Sequence, residues 1–195
     1  MHNMGLRIGV LAIQGDYEAH AAAFAEIGVT TRPVKTLAEL SAVSALVLPG
    51  GESTTMLRLL RRDGFDVALR DFVRTRPIFA TCAGCILLAR EVLNPRQESF
   101  AALDLTIERN AYGRQNDSTI LPVETSLPGG PLEAVFIRAP RILSAGPEVA
   151  TLASREGFPV LVRQGKILAA TFHPELATDR RVHRLFLEIA AAEQK

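Results

Sequence analysis

Two cysteines stand three residues apart in "FATCAGCILLA", residues 79–89, an otherwise apolar run. A C-x-x-C pair can be a redox couple or half of a metal site, or one cysteine can be a nucleophile and the other a bystander. The redox motif belongs near the start of its fold and no second pair supplies four metal ligands, so the first two roles fit poorly. Two buried structural cysteines are the plain alternative. Against that stands the far end of the chain, where "ATFHPEL", residues 170–176, places His173 and Glu175 on either side of Pro174. A thiol nucleophile needs a base that later serves as an acid, within imidazole's range, and the imidazole needs a carboxylate to fix its tautomer. Cys82, His173 and Glu175 have the makings of a triad with sulfur as the attacking atom. "LPGGES", residues 48–53, adds two glycines whose backbone a ligand can approach closely. Beside a nucleophile turn, Gly51 can supply one oxyanion donor and the Ala83 N–H a second, although the same residues also suit a simple glycine turn. His2, His20 and His183 read as surface or satisfied side chains.

Such a site needs a scaffold that gathers distant residues, and the hydrophobic pattern supplies one. "LRIGVLAIQG" at 6–15 is a buried-strand run ending at glycine, and apolar residues between Tyr17 and Ile27 fall at helical intervals. "VTTRPV" reads as a short strand and "SALVLPGG" at 44–51 as a buried one. Ser53 and Thr54 are positioned to cap the helix "TTMLRLLRR". "FDVALRDFVRT" is helical, "PIFAT" is a strand, and a helix is expected through "ILLAREVL". The alternation predicts a doubly wound, mostly parallel α/β sheet. Cys82 then falls on a strand-to-helix turn at the carboxyl edge of the sheet, where helix N-terminal N–H groups favour thiolate and where Ala80, Ala83 and Gly84 permit a sharp elbow. Cys85, one turn into the helix, is expected in the core. The second half reads as short strands, "LDLTIER", "STILPVE", "AVFIR", "VATLASR", "FPVLVRQ" and "KILAATFHP", expected to extend the sheet antiparallel, before a helix over Asp179–Glu193.

The composition is that of an ordinary globular protein: 195 residues, 48% hydrophobic, 22% charged, formal net charge +1. Residues 1–195 are expected to form a single domain, with neither repeats nor a linker. Balanced charge without long runs of one sign argues against nucleic acid or an anionic membrane as partner. The longest apolar run, Pro77–Ala89, is too short to span a bilayer, and no basic segment with a signal-type apolar core follows the N-terminus, so a cytoplasmic location is expected.

The segments "GVLAIQGDYEAH", "LPGGEST", "TCAGCILLA", "ERNAYGRQ", "IRAP" and "FHPEL" stand in the order and spacing of one family. From about residue 6 to 190 the chain resembles the glutaminase subunits of pyridoxal 5′-phosphate synthase, which are class I, triad-type glutamine amidotransferases with a flavodoxin-like fold. The resemblance implies that Cys82 attacks the side-chain amide of L-glutamine, His173 carries the proton to departing ammonia, Glu175 orients His173, and water releases glutamate from the thioester. It also implies glutamine contacts from Gly50, Gly51, Glu52, Arg109, Ile137 and Arg138, with no metal or organic cofactor. The ammonia would pass to a (β/α)8 synthase subunit in a hetero-oligomeric complex. The family more usually has glycine at Ala80, leucine at Cys85 and Phe-Glu at Thr119 and Ile120. The other readings are another class I glutaminase, a cysteine hydrolase or chaperone of the related elbow-bearing superfamily, and a non-enzymatic regulatory subunit.

Overall fold

A computed structural model describes residues 5–109, 111 and 119–193. Of the "RNAYGRQ" motif, Arg109 and one neighbour are described; the remainder, with His2 and Ser118, lies outside the described residues.

Strands β1 (Ile8–Leu11), β2 (Arg32–Val34), β3 (Ala45–Leu48) and β4 (Ile78–Thr81) alternate with helices α1 (Tyr17–Glu26), α2 (Leu37–Ala42), α3 (Ser53–Leu60) and α4 (Phe65–Thr75). Helix α5 (Ala83–Leu88) then leads into β5 (Ala89–Leu93), β6 (Leu103–Glu108), β7 (Thr119–Thr125), β8 (Leu132–Phe136), β9 (Arg141–Ala145), β10 (Ala150–Arg155), β11 (Phe158–Gln164) and β12 (Ile167–Ala170). A 3-10 turn, Pro174–Leu176, and helix α6 (Arg181–Ala192) complete the order. The main sheet runs β2-β1-β3-β4-β12-β11-β10-β7-β8. Its first five strands are parallel and the rest are antiparallel; β12, expected among the antiparallel additions, instead pairs parallel with β4 inside the sheet.

Burial on both faces explains the continuous apolar runs: every residue of β1, β3, β4 and β12 is buried. Their side chains alternate between two cores. Leu46, Leu48, Ile78, Ala80, Ile167 and Ala169 join α2–α5 and the β5–β6 region, whereas Ala45, Val47, Phe79, Leu168 and Ala170 join Phe24 of α1 and Phe186 of α6. Packing is close where α5 crosses β3. A Cβ on Gly84 would stand 2.3 Å from the Leu48 carbonyl oxygen, so glycine there lets the helix start directly above the sheet.

Four further sequence expectations need correction. The helix after Cys82 ends at Leu88 instead of continuing to residue 93: all six residues of α5 are buried, and the change to strand at Ala89 leaves Arg90 and Glu91 exposed while Val92 packs inside. "LDLTIER" does not extend the main sheet; β6 pairs parallel with β5 and antiparallel with the unanticipated β9 in a second sheet. Helix α3 is capped by Glu52, whose carboxylate accepts from the Thr54 and Thr55 N–H groups at 3.1 and 2.7 Å. Ser53 is its first helical residue. Helix α2 was not expected, although its capping box is legible in "TLAE": Thr36 and Glu39 satisfy each other's backbone N–H groups.

Candidate active site

The carboxyl ends of β1, β3, β4 and β12 meet along one edge of the sheet, the ligand-binding edge of open α/β folds. Cys82 leaves β4 with φ 46° and ψ −103°, a left-handed backbone that a non-glycine residue adopts only when its surroundings enforce it. They do: the Cys82 N–H donates to the Ala170 carbonyl of β12 at 2.9 Å, and the Cys82 carbonyl accepts from Ile86 N–H at 3.3 Å in α5. The turn holds Sγ above the helix N-terminus, 4.0 Å from the Ile137 carbonyl oxygen. As the first helical residue, Ala83 has an N–H without an intrahelical acceptor, directly beside that sulfur.

His173 follows β12, next to β4, and its backbone N–H donates to the Val135 carbonyl at 2.8 Å. Its Nδ1–H donates to Glu175 Oε1 at 2.7 Å, the tautomer being set by an acceptor-only carboxylate. The ring shares the cleft with Cys82. Burial by itself would lower the imidazole pKa, but the interactions with Cys82 and Glu175 overcome it and push His173 up to about 10. Glu175 is buried, which favours its neutral form, yet facing His20 and His173 brings its carboxyl below the ordinary value. The protonated imidazolium is thus the favoured form of His173.

The third wall is the β3–α3 turn. A Cβ on Gly50 would stand 2.4 Å from His173 Cε1 and 3.4 Å from Cys82 Cβ, so only glycine lets the turn touch both. A cleft of about 430 Å³ opens here. Cys82, His173, Gly50, Gly51, Glu52, Arg109, Ile137 and Arg138 all face it. Glu175 lies behind His173, away from the cleft.

Glu52 and Arg109 are paired with each other, Nη2 to Oε1 at 3.2 Å, and Arg109 also donates to Thr54 Oγ1 at 3.1 Å. Partial burial works against ionisation of Glu52, but hydrogen bonds from Thr54 and Thr55 outweigh it and hold the carboxyl at about 2. A ligand with ammonium and carboxylate groups therefore meets an existing ion pair, open on the Glu52 side. Cys85 is fully buried, its thiol pushed up to about 12 first by burial and then by the neighbouring Cys82 charge. Both cysteines are free.

Residues 10–192 match the model of the SNO glutamine amidotransferase family. The chain belongs to that family. The amidotransferase is 55% identical over 184 residues to the pyridoxal 5′-phosphate synthase subunit PdxT of Koribacter versatilis, covering 94% of this chain and 95% of the relative. It is 51% identical to the PdxT of Thermotoga neapolitana, covering 94% and 99%. A crystal structure of a glutamine amidotransferase superposes with a TM-score of 0.87 at 44% identity, over 94% of this chain and 98% of the other. A GMP synthase component from Thermoplasma acidophilum shares the fold, with a TM-score of 0.71 at 18% identity, over 97% of this chain and 96% of the other.

Two features of the amidotransferase's site escaped sequence reading. Gln14 also lines the cleft and accepts the Glu52 N–H through Oε1 at 3.0 Å; it belongs to the "AIQGD" segment, but only the fold brings β1 beside the glycine turn. His20 and His183 are not surface residues. Both are fully buried; of the two outcomes expected, surface or satisfied, His20 meets the second through Thr81 while facing Glu175, and His183 meets neither among the described residues.

Proposed function

We propose that this amidotransferase hydrolyses L-glutamine to L-glutamate and ammonia and delivers the ammonia to a pyridoxal 5′-phosphate synthase partner. One observation carries the reading: a strained cysteine at a helix N-terminus shares a cleft with a histidine that is itself 2.7 Å from a buried glutamate, and that cleft also holds paired charges. Cys82 thiolate adds to the side-chain amide carbonyl, and the developing oxyanion is received by the N–H groups of Ala83 and Gly51. His173 protonates the amide nitrogen as its bond to carbon breaks, releasing ammonia and a thioester. It then takes a proton from water, whose oxygen attacks the thioester; glutamate departs and the thiolate returns. Glu52 and Arg109, separating from each other, receive the α-ammonium and α-carboxylate, and Ile137 and Arg138 close the far wall. Each bond made or broken lies among these side chains, so the reading assigns the step neither metal nor organic cofactor.

The PdxT relatives are subunits of pyridoxal 5′-phosphate synthase. By analogy the partner is a (β/α)8 synthase subunit in a hetero-oligomeric complex, and residues 1–195 act as one glutaminase domain. No helix among the described residues is long and apolar enough to cross a membrane. We assign the complex to the cytoplasm, without membrane or nucleic acid as partner. The test is ammonia release from glutamine, with and without a synthase subunit. The expected result is turnover in the mixture that Cys82→Ala abolishes; turnover surviving in Cys82→Ala would overturn the reading.

A further inference from the structure

His20 of α1 is fully buried on the side of Glu175 opposite His173. Its Nε2 stands 3.0 Å from Thr81 Oγ1, in the residue that precedes the nucleophile, and 3.4 Å from Glu175 Oε2. Oε1 of that carboxylate is engaged by His173, whereas Oε2 has no hydrogen-bond partner among the described residues and meets His20 only as a 3.4 Å charge contact. A desolvated carboxylate with one oxygen unserved is costly and moves toward its neutral acid. A neutral Glu175 would neither fix the His173 tautomer nor balance an imidazolium.

We propose that His20 is a positioning residue for glutamine hydrolysis, its Nε2–H directed at Glu175 Oε2 so that the carboxylate stays ionised and aimed at His173. The proposal rests on the Cys82–His173–Glu175 triad reading. The tautomer follows from the neighbours. An ionised carboxylate only accepts, so a bare Nε2 lone pair facing it would repel; the proton belongs on Nε2, and Thr81 Oγ1 accepts alongside. The bare Nδ1 has no hydrogen-bond partner among the described residues, and the ring packs against those of Phe79 and His183, each 5.7 Å away between centroids. An unpaired acceptor there is a smaller cost than a stranded N–H.

The charge state matters as much as the proton's place. Burial lowers the His20 pKa, partly opposed by Glu175 and Asp16 and assisted by His173. His183 on α6, next to His20, is held neutral by burial and by His20. Arg180, at the start of α6, adds a further positive charge that disfavours protonation of His183. With Cys82 beyond His173, these are the ionisable groups around the pair. A neutral His20 donates a hydrogen bond without cancelling the carboxylate charge, leaving that charge for His173. The chain Cys82, His173, Glu175, His20 and Thr81 closes on the residue next to its start, so α1 ties the acid to the strand that carries the nucleophile.

The experiment compares His20→Leu, His20→Gln and His20→Asn in the full chain with the synthase subunit present, following kcat and KM for glutamine across pH, with Cys82→Ala as control. Glutamine nitrogen at Nε2 can reach the place of the histidine Nε2, whereas asparagine stops one bond short. Leucine and asparagine should move the acid limb of kcat upward by about one pH unit, roughly a tenfold loss on that limb. KM should stay near the wild-type value, because no cleft residue changes. Glutamine should restore the wild-type limb. Where leucine prevents folding, the asparagine–glutamine contrast carries the same test. An unshifted limb in leucine and asparagine variants, or equal impairment in all three, overturns the proposal while Cys82→Ala remains inactive. Activity in Cys82→Ala removes the triad reading and this proposal with it.

Discussion

Cys82 and Cys85 carry the same thiol one helical turn apart, and their surroundings divide them. Cys82 stands at the helix N-terminus and shares the cleft with His173. Cys85 is fully buried with its thiol at about 12, where almost none is ionised at neutral pH. Cys82→Ala should abolish hydrolysis and block labelling by a glutamine-like electrophile, and Cys85→Ala should keep most activity at a stability cost on the order of 1 kcal/mol. Loss of activity in both, with a Cys82–Cys85 disulfide in the working enzyme, would favour redox chemistry. The two partners of Cys82 should also differ. In the proposed mechanism His173 carries protons, so His173→Ala should remove nearly all turnover. Glu175→Gln keeps a hydrogen-bonding side chain without the charge and should leave a measurable remnant; wild-type kcat there would remove its orienting role. These assignments were legible because each signal is local: an elbow between strand and helix, a His-Pro-Glu run, two adjacent glycines. The His20–Glu175 approach was not, since it depends on how α1 and the turn after β12 settle against the same strand.

At the level of elements, α1 and α6 close one face of the sheet around an aromatic nest in which His183 touches Phe24, Phe79 and His20, with ring centroids 5.0, 5.5 and 5.7 Å away. Neither His183 nitrogen has a hydrogen-bond partner among the described residues. Burial, then the neighbouring His20, lowers its pKa to about 3. A histidine that binds its proton more weakly folded than unfolded contributes stability in full above its unfolded value of 6.5, and loses it as pH falls from there through about 3. Thermal melts should therefore show Tm dropping below pH 6.5, and His183→Leu should flatten that drop. Leucine also removes two unpaired polar atoms, a gain of about 1–3 kcal/mol at neutral pH. An unchanged acid limb in His183→Leu would place the sensitivity elsewhere, with His20 the next candidate. The sequence disclosed α6 and its apolar stripe but not that a histidine lay within it, because a helical pattern does not reveal which polar residue faces inward. The same limit hid β9 and the early end of α5: in "ILLAREVL" the helical and extended readings differ only in where Arg90 and Glu91 point.

Across the whole molecule, the oxyanion turn is not held by its own segment. The Gly50 carbonyl oxygen lies so close to Gly15 that a Cβ there would overlap it at 1.8 Å, and the next N–H, from Glu52, is bound by Gln14. The β1–α1 loop thus controls the orientation of the Gly50–Gly51 peptide, while Gly51, at φ +154°, offers little resistance to a rotation. A synthase subunit pressing on that loop has a direct mechanical route to the Gly51 N–H. A glutaminase active without a consumer would lose its ammonia to solvent, and coupling that donor to docking would keep the free chain quiet. An absent oxyanion donor costs about 3 kcal/mol, a hundredfold or more in rate. Adding the synthase should therefore raise kcat far more than it lowers KM. Gly51→Val should stay inactive even in the complex, since a Cβ there would approach Gln14 Oε1 to 2.5 Å and impose a side chain on a glycine backbone. Equal turnover by the isolated chain and the mixture would mean that the donor is already in place and that docking serves only to receive the ammonia.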